Sequence, residues 1–138
     1  MAIRKWAEFG ASPPPRNGRR MYVSINQHGI IAMNRLAFEK LGSPEAVTMH
    51  YDIDNLSIGL KPSTLIARNA FPIAKRGTGT RVIWAKSFMK ANQIFMSRTY
   101  RFLTPVIENG YLVLDFNYIA ITTQSPRTGW RKATQDTQ

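Results

Sequence analysis

The sequence predicts an α+β domain, mostly β, and three observations carry that expectation. Apolar and polar residues alternate in short runs, Met21-Val23-Ile25 and Leu56 to Leu60 among them, the period-two spacing of strands half buried in a sheet. Turn residues punctuate these runs: Gly29, Asp54-Asn55, Gly77 and Asn109-Gly110. Two stretches with three-to-four spacing, Leu36 to Leu41 and Phe88 to Phe95, read as short helices. The order strand, strand, helix, strand, strand then occurs twice, as tandem ββαββ units at 21–63 and 70–121. One such unit cannot bury both faces of its strands, so the pair is expected to close a single barrel within the chain, an internal pseudo-dimer.

In the first unit, Gln27-His28-Gly29 ends the opening strand and Ile30 to Met33 form the second. Asn34 stands at the N-cap of a helix carrying Leu36, Ala37, Phe38 and Leu41, and Gly42 takes the C′ position, where left-handed backbone is cheap. Val47 to Tyr51, the Asp54-Asn55 turn and Leu56 to Leu60 complete the unit before Pro62. The connector, 64–69, is anchored by Leu65 and Ile66. In the second unit, Ala70 to Ala74 is a strand, Lys75 to Thr80 a loop and Val82-Ile83-Trp84 a strand. Ser87 caps the helix whose Phe88, Ala91 and Ile94 or Phe95 face the core. Thr99 to Leu103 and Tyr111 to Phe116 are joined through Glu108-Asn109-Gly110, an Asn-Gly hairpin signal.

Segments 1–20 and 122–138 stand apart. Trp6 and Phe9 have helical spacing, either in a short helix or in a docking arm; Ala11 to Arg20, with three consecutive prolines, is a semi-rigid basic spacer or a plain solvated linker. The tail has too few apolar residues to order itself by burial and reads as an ordinary frayed terminus or, with Trp130 between Arg127 and Arg131-Lys132, as a docking segment.

Charge narrows the function classes. The chain of 138 residues is 43% apolar and carries +11, with 19 Lys and Arg against 8 Asp and Glu. The excess is uneven: between Phe71 and Arg101 stand Lys75, Arg76, Arg81, Lys86, Lys90, Arg98 and Arg101 with no acid, whereas Met21 to Lys61 is close to neutral. Phosphate-rich partners select such one-sided fields. With no cysteine, disulfides, thiolate metal sites and cysteine nucleophiles are excluded. No apolar run is long enough for a membrane span or a signal peptide, so a cytoplasmic protein is expected.

Catalytic patterns are lacking. His50, Asp52 and Asp54 alternate on one strand, but the two aspartates serve the turn better than a metal. His28 has no acidic or serine partner, and Lys75-Arg76-Gly77-Thr78-Gly79 lacks the spacing of a nucleotide-binding loop. No enzyme, metal or cofactor is expected. That basic glycine loop reads as a grip on a polynucleotide backbone or as a loose turn.

Val23-Ser24-Ile25, Gly29, Ile30-Ile31, the helix Arg35 to Leu41 with Gly42, and Ile58-Gly59-Leu60-Lys61 together resemble the AbrB/MazE-like swapped-hairpin family of small DNA-binding units, here as a tandem single-chain version. Where that family commonly has proline with a basic residue, this chain has Met33-Asn34-Arg35. The resemblance implies a swapped-hairpin barrel and a role in transcription regulation, with DNA favoured over RNA. The candidate contact residues are Arg16, Arg19, Arg20, Arg35, Lys75, Arg76, Arg81, Lys86 and Lys90. The alternative is a non-catalytic interaction module, an inhibitor or accessory subunit of a nucleoprotein assembly, docking through Trp6 and Phe9 or through Trp130.

Overall fold

A computed structural model describes residues 20–122; the expectations for Trp6, Phe9, Arg16, Arg19 and Trp130 lie outside that range. Asn26 turns the chain after β1 (Val23–Ile25): its Oδ1 accepts from the N–H groups of His28 (2.8 Å) and Ile30 (3.0 Å), and Gly29 follows at φ +78°. β2 (Ile30–Met33) then runs into α1 (Arg35–Lys40). Asn34 is the cap expected of it, with Oδ1 accepting from Ala37 N–H at 3.0 Å. The same oxygen accepts from Tyr22 N–H at 3.1 Å while Nδ2 donates to Arg20 O at 2.7 Å, so one side chain both starts the helix and pins the entry to β1. At the other end Gly42 N–H bonds Glu39 O and Ser43 N–H bonds Phe38 O, a Schellman closure.

β3 (Ala46–Asp52) and β4 (Ser57–Ser63) form the first long hairpin. β5 (Phe71–Pro72), β6 (Ala74–Arg76), β7 (Thr80–Trp84), α2 (Lys86–Ala91), β8 (Tyr100–Phe102), β9 (Val106–Glu108), β10 (Tyr111–Asp115) and β11 (Ile119–Ile121) follow. Among the described residues there are thus eleven strands and two short helices, a mostly β member of the α+β class. The strands form two antiparallel sheets: sheet A in the order β11-β8-β1-β2-β7-β6 and sheet B in the order β5-β3-β4-β10-β9.

Each sheet is built around one long-range pair. In sheet A, β2 lies against β7 with Ile31 opposite Ile83; in sheet B, β4 lies against β10 with Leu60 opposite Leu112 and Ile58 opposite Leu114. All six side chains are fully buried, in one cluster with Val23, Ile25, Met33, Val47, Met89 and Phe102. Residues from both halves of the chain therefore share a single core.

The expected closed barrel is corrected to two open sheets, with edges β11 and β6 in one and β5 and β9 in the other. The expected strand Ala70 to Ala74 is split, because Pro72 has no N–H with which to continue a ladder and Ile73 instead donates to Glu45 O (3.0 Å) as the chain passes from sheet B to sheet A. The segment Thr99 to Leu103 does not partner β10 either. Its ordered part, β8, joins β1 and β11 in sheet A, and β9 takes the place beside β10. Leu65 and Ile66 do not anchor the connector, Ile66 being 93% exposed; the Glu45 carboxylate, accepting from Leu65 N–H at 2.8 Å, and backbone turns hold it instead. In α2, Ala85 rather than Ser87 occupies the cap with no side-chain bond, Met89 is the buried residue, and Phe95 is 75% exposed. No helix among the described residues is long and apolar enough to cross a membrane.

Candidate nucleic-acid interface

The chain after β2 and the hairpin β6–β7 meet at one end of sheet A. Register sets Lys75 directly opposite Arg81, two cations facing each other across a strand pair, with Arg76 next along the edge strand. Arg81 is half buried: its guanidinium lies 4.5 Å from the centre of the Phe38 ring and donates through Nη1 to Gly79 O at 2.9 Å. Arg35 reaches the same end, for a Cβ on Gly79 would stand 3.7 Å from its own. Arg35 is ion-paired through Nε to Glu39 at 3.0 Å, while Lys75 and Arg76 are exposed. Arg20, tied by its carbonyl to Asn34, belongs to this end too.

Lys86 and Lys90 do not join that group. They lie on α2, beyond the opposite end of β7, about 17 Å from Arg81 at strand spacing. Their placement depends on Gly29. Ala85 N–H donates to Gly29 O at 2.8 Å, and a Cβ on Gly29 would come within 2.7 Å of Lys86 Cα, so only glycine lets the β1–β2 turn seat the start of α2.

Between the two cationic ends stands Trp84. Ile31 and Ile83 face the core, so their neighbours Ile30 and Trp84, also opposite each other, face outward, and the indole is 56% exposed. On the same outer face Ser24 lies between Ala32 and Arg101, and the Arg101 guanidinium sits 5.8 Å from the centre of the Tyr22 ring. Sequence reasoning missed Arg101 and the outward turn of Trp84 as site features; the alternation of Ile83 with Trp84 was the available signal.

The outer face of sheet B differs. Its register sets His50, Gly59 and Val113 abreast, and next to them Asp52, Ser57 and Asp115. The Tyr111 ring covers Gly59, where a Cβ would meet it at 3.1 Å, and the His50 ring meets Tyr111 edge-on at 5.4 Å. A hollow of about 540 Å³ opens here, lined by His50, Asp52, Glu108, Tyr111, Asp115 and Tyr118 among others.

No protein-family model, curated protein or solved structure matches this chain.

His50 and Asp52 are engaged locally. His50 Nε2 shares a hydrogen bond with Thr48 Oγ1 at 3.0 Å. The Asp52 carboxylate accepts from Asn55 Nδ2 at 2.6 Å and from the N–H groups of Asn55 and Asp54, which holds its pKa below the usual carboxylate value. Among the described residues no group of three or more His, Cys, Asp and Glu is placed to hold a metal.

Proposed function

We propose that the chain binds nucleic acid through its sugar–phosphate backbone, without catalysis, as an AbrB-like protein built by internal duplication and acting in transcription regulation. Duplex DNA is the ligand that the family resemblance implies. The duplication is supported by paired hairpins: β1–β2 with β6–β7 about the β2–β7 pair, and β3–β4 with β9–β10 about the β4–β10 pair. The observation that carries the binding proposal is the cross-strand pair of Lys75 and Arg81 with Arg76 beside it. Like charges directly opposite each other repel, and an anion set between them would relieve that repulsion. Phosphates spaced along a strand supply such anions, and each neutralised phosphate releases counterions. The test is a salt titration of the Lys75→Ala/Arg76→Ala variant against the parent. Binding to duplex DNA weakens equally across sequences, and the log–log salt slope becomes shallower by roughly one unit per lost contact. An unchanged slope refutes the proposal.

A second reading rests on the sheet B hollow. Carboxylates around a tyrosine and a histidine suit a basic segment of a partner protein, which would make the chain an accessory subunit of a nucleoprotein assembly.

A further inference from the structure

We infer that Trp84 is a base-stacking residue and that the outer face of sheet A takes single-stranded nucleic acid in preference to closed duplex. The inference rests on the backbone-binding proposal above and departs from it in the ligand, exchanging duplex for a strand with unpaired bases.

Four features of the molecule lead there. The indole leaves the sheet on its outer side, because its neighbours in sequence, Ile83 and Ala85, are both fully buried and Trp84 itself is paired with Ile30 of β2. A rigid aromatic so held loses little freedom when it binds. Beside it Ile30 extends the apolar surface, and farther along the face Tyr22 lies under Arg101. Cations share the face with it: Arg76, opposite Thr80 on the edge strand, and Arg101 over Tyr22, with Lys86 following two residues after Trp84 at the start of α2. The carboxylates among the described residues, by contrast, are elsewhere: Glu39 on Arg35, Glu45 on the connector, Asp52 and Asp54 at the β3–β4 turn, and Glu108 and Asp115 on sheet B.

An exposed aromatic that shares its face with cations, and among the described residues with no carboxylate, matches a polynucleotide whose bases are accessible. A closed duplex buries the faces of its bases against one another and presents edges and phosphates, so an indole standing on a sheet gains stacking energy only from a base that is out of the helix. On a single strand every base has a free face, and stacking on an aromatic side chain is tolerant of sequence.

Fluorescence anisotropy with a labelled single-stranded oligonucleotide and a blunt duplex of equal phosphate number, at two salt concentrations, tests the inference on the full chain. Trp84→Ala is expected to weaken single-strand binding about tenfold with the salt slope unchanged, to leave duplex binding within about twofold, and to be largely rescued in Trp84→Phe. Lys75→Ala/Arg76→Ala weakens both ligands and flattens both slopes. If Trp84→Ala binds the single strand like the parent while the lysine–arginine variant does not, stacking is wrong and backbone binding stands. Equal weakening of duplex and single strand by Trp84→Ala overturns the single-strand preference. A parent that binds neither ligand near physiological salt overturns the backbone proposal, and the stacking inference with it.

Discussion

The outer faces of sheets A and B have the same kind of backbone behind them, a central antiparallel pair flanked by hairpins, yet they carry opposite chemistry. Sheet A presents Trp84, Tyr22, Arg76 and Arg101; sheet B presents Asp52, Glu108, Asp115, His50 and Tyr111. The inner faces are interchangeable in character, Ile31, Ile83 and Val23 on one and Ile58, Leu60 and Leu112 on the other, because both must fill one core. Alternation along a strand couples these facts. Every second residue is fixed by burial, and the residues between are left to function.

The contrast is broken most severely from inside. Leu112→Ala empties a fully buried position beside Leu60 and should cost about 2–5 kcal/mol, lowering the unfolding midpoint of the whole domain in one transition. Cutting the chain in the 64–69 connector should likewise leave halves that do not fold separately, since each supplies half of both central pairs. Two independently cooperative halves would refute the shared core.

Gly29→Ala comes next. The substitution strains a residue at φ +78° and drives a methyl into the Lys86 backbone, which should cost about 2–4 kcal/mol in denaturant midpoint and displace α2 from the β1–β2 turn. Lys86 and Lys90 then lose their place relative to Trp84, so nucleic-acid affinity falls more than the stability change alone requires.

Charge changes sharpen the contrast without unfolding it. The double variant Glu108→Gln/Asp115→Asn removes two of the three carboxylates of the sheet B face and should leave the nucleic-acid salt slope within measurement error, whereas Lys75→Ala/Arg76→Ala shifts it by roughly two units. A slope that responds to the sheet B carboxylates shows that the two faces act together, contrary to the proposal.

Much of this architecture was legible because the signals are local. Asn34, Gly42 and the pair Asn109-Gly110, at φ +52° and +84°, do what their residue types dictate within four residues of themselves. What escaped was non-local. Nothing in Tyr100-Arg101-Phe102 itself says that it pairs with β1, about 75 residues away, rather than with the nearby β10, and nothing in Phe71 to Ala74 except Pro72 marks a change of sheet. The candidate site suffered in the same way: Lys75, Arg76, Arg81 and Arg35 are gathered at one end of sheet A, but Lys86 and Lys90 fall at the other, since the sequence gives spacing along the chain and not position across the sheet.

The smallest effect concerns Asp52. Its pKa is lowered by the Asn55 side chain first and by backbone N–H groups second, so the stabilisation it confers is present above the ordinary carboxylate pKa and is lost as pH falls through the lowered value. Asp52→Asn should therefore lower the thermal midpoint slightly at pH 7 and leave it nearly unchanged at pH 2, flattening the acid limb of the stability–pH curve between them. An acid limb identical to the parent's refutes the role given to the turn.

The two central strand pairs also set a timetable. Ile31 must await Ile83, and Leu60 must await Leu112, an interval of 52 residues in each case. At about 5–20 residues per second of synthesis, β2 and β4 stand as bare edges for some 3–10 seconds before their partners are made. A half-finished chain of this protein is thus two open templates for pairing with any extended peptide nearby, and its successful production depends on what shields those edges until the second half arrives.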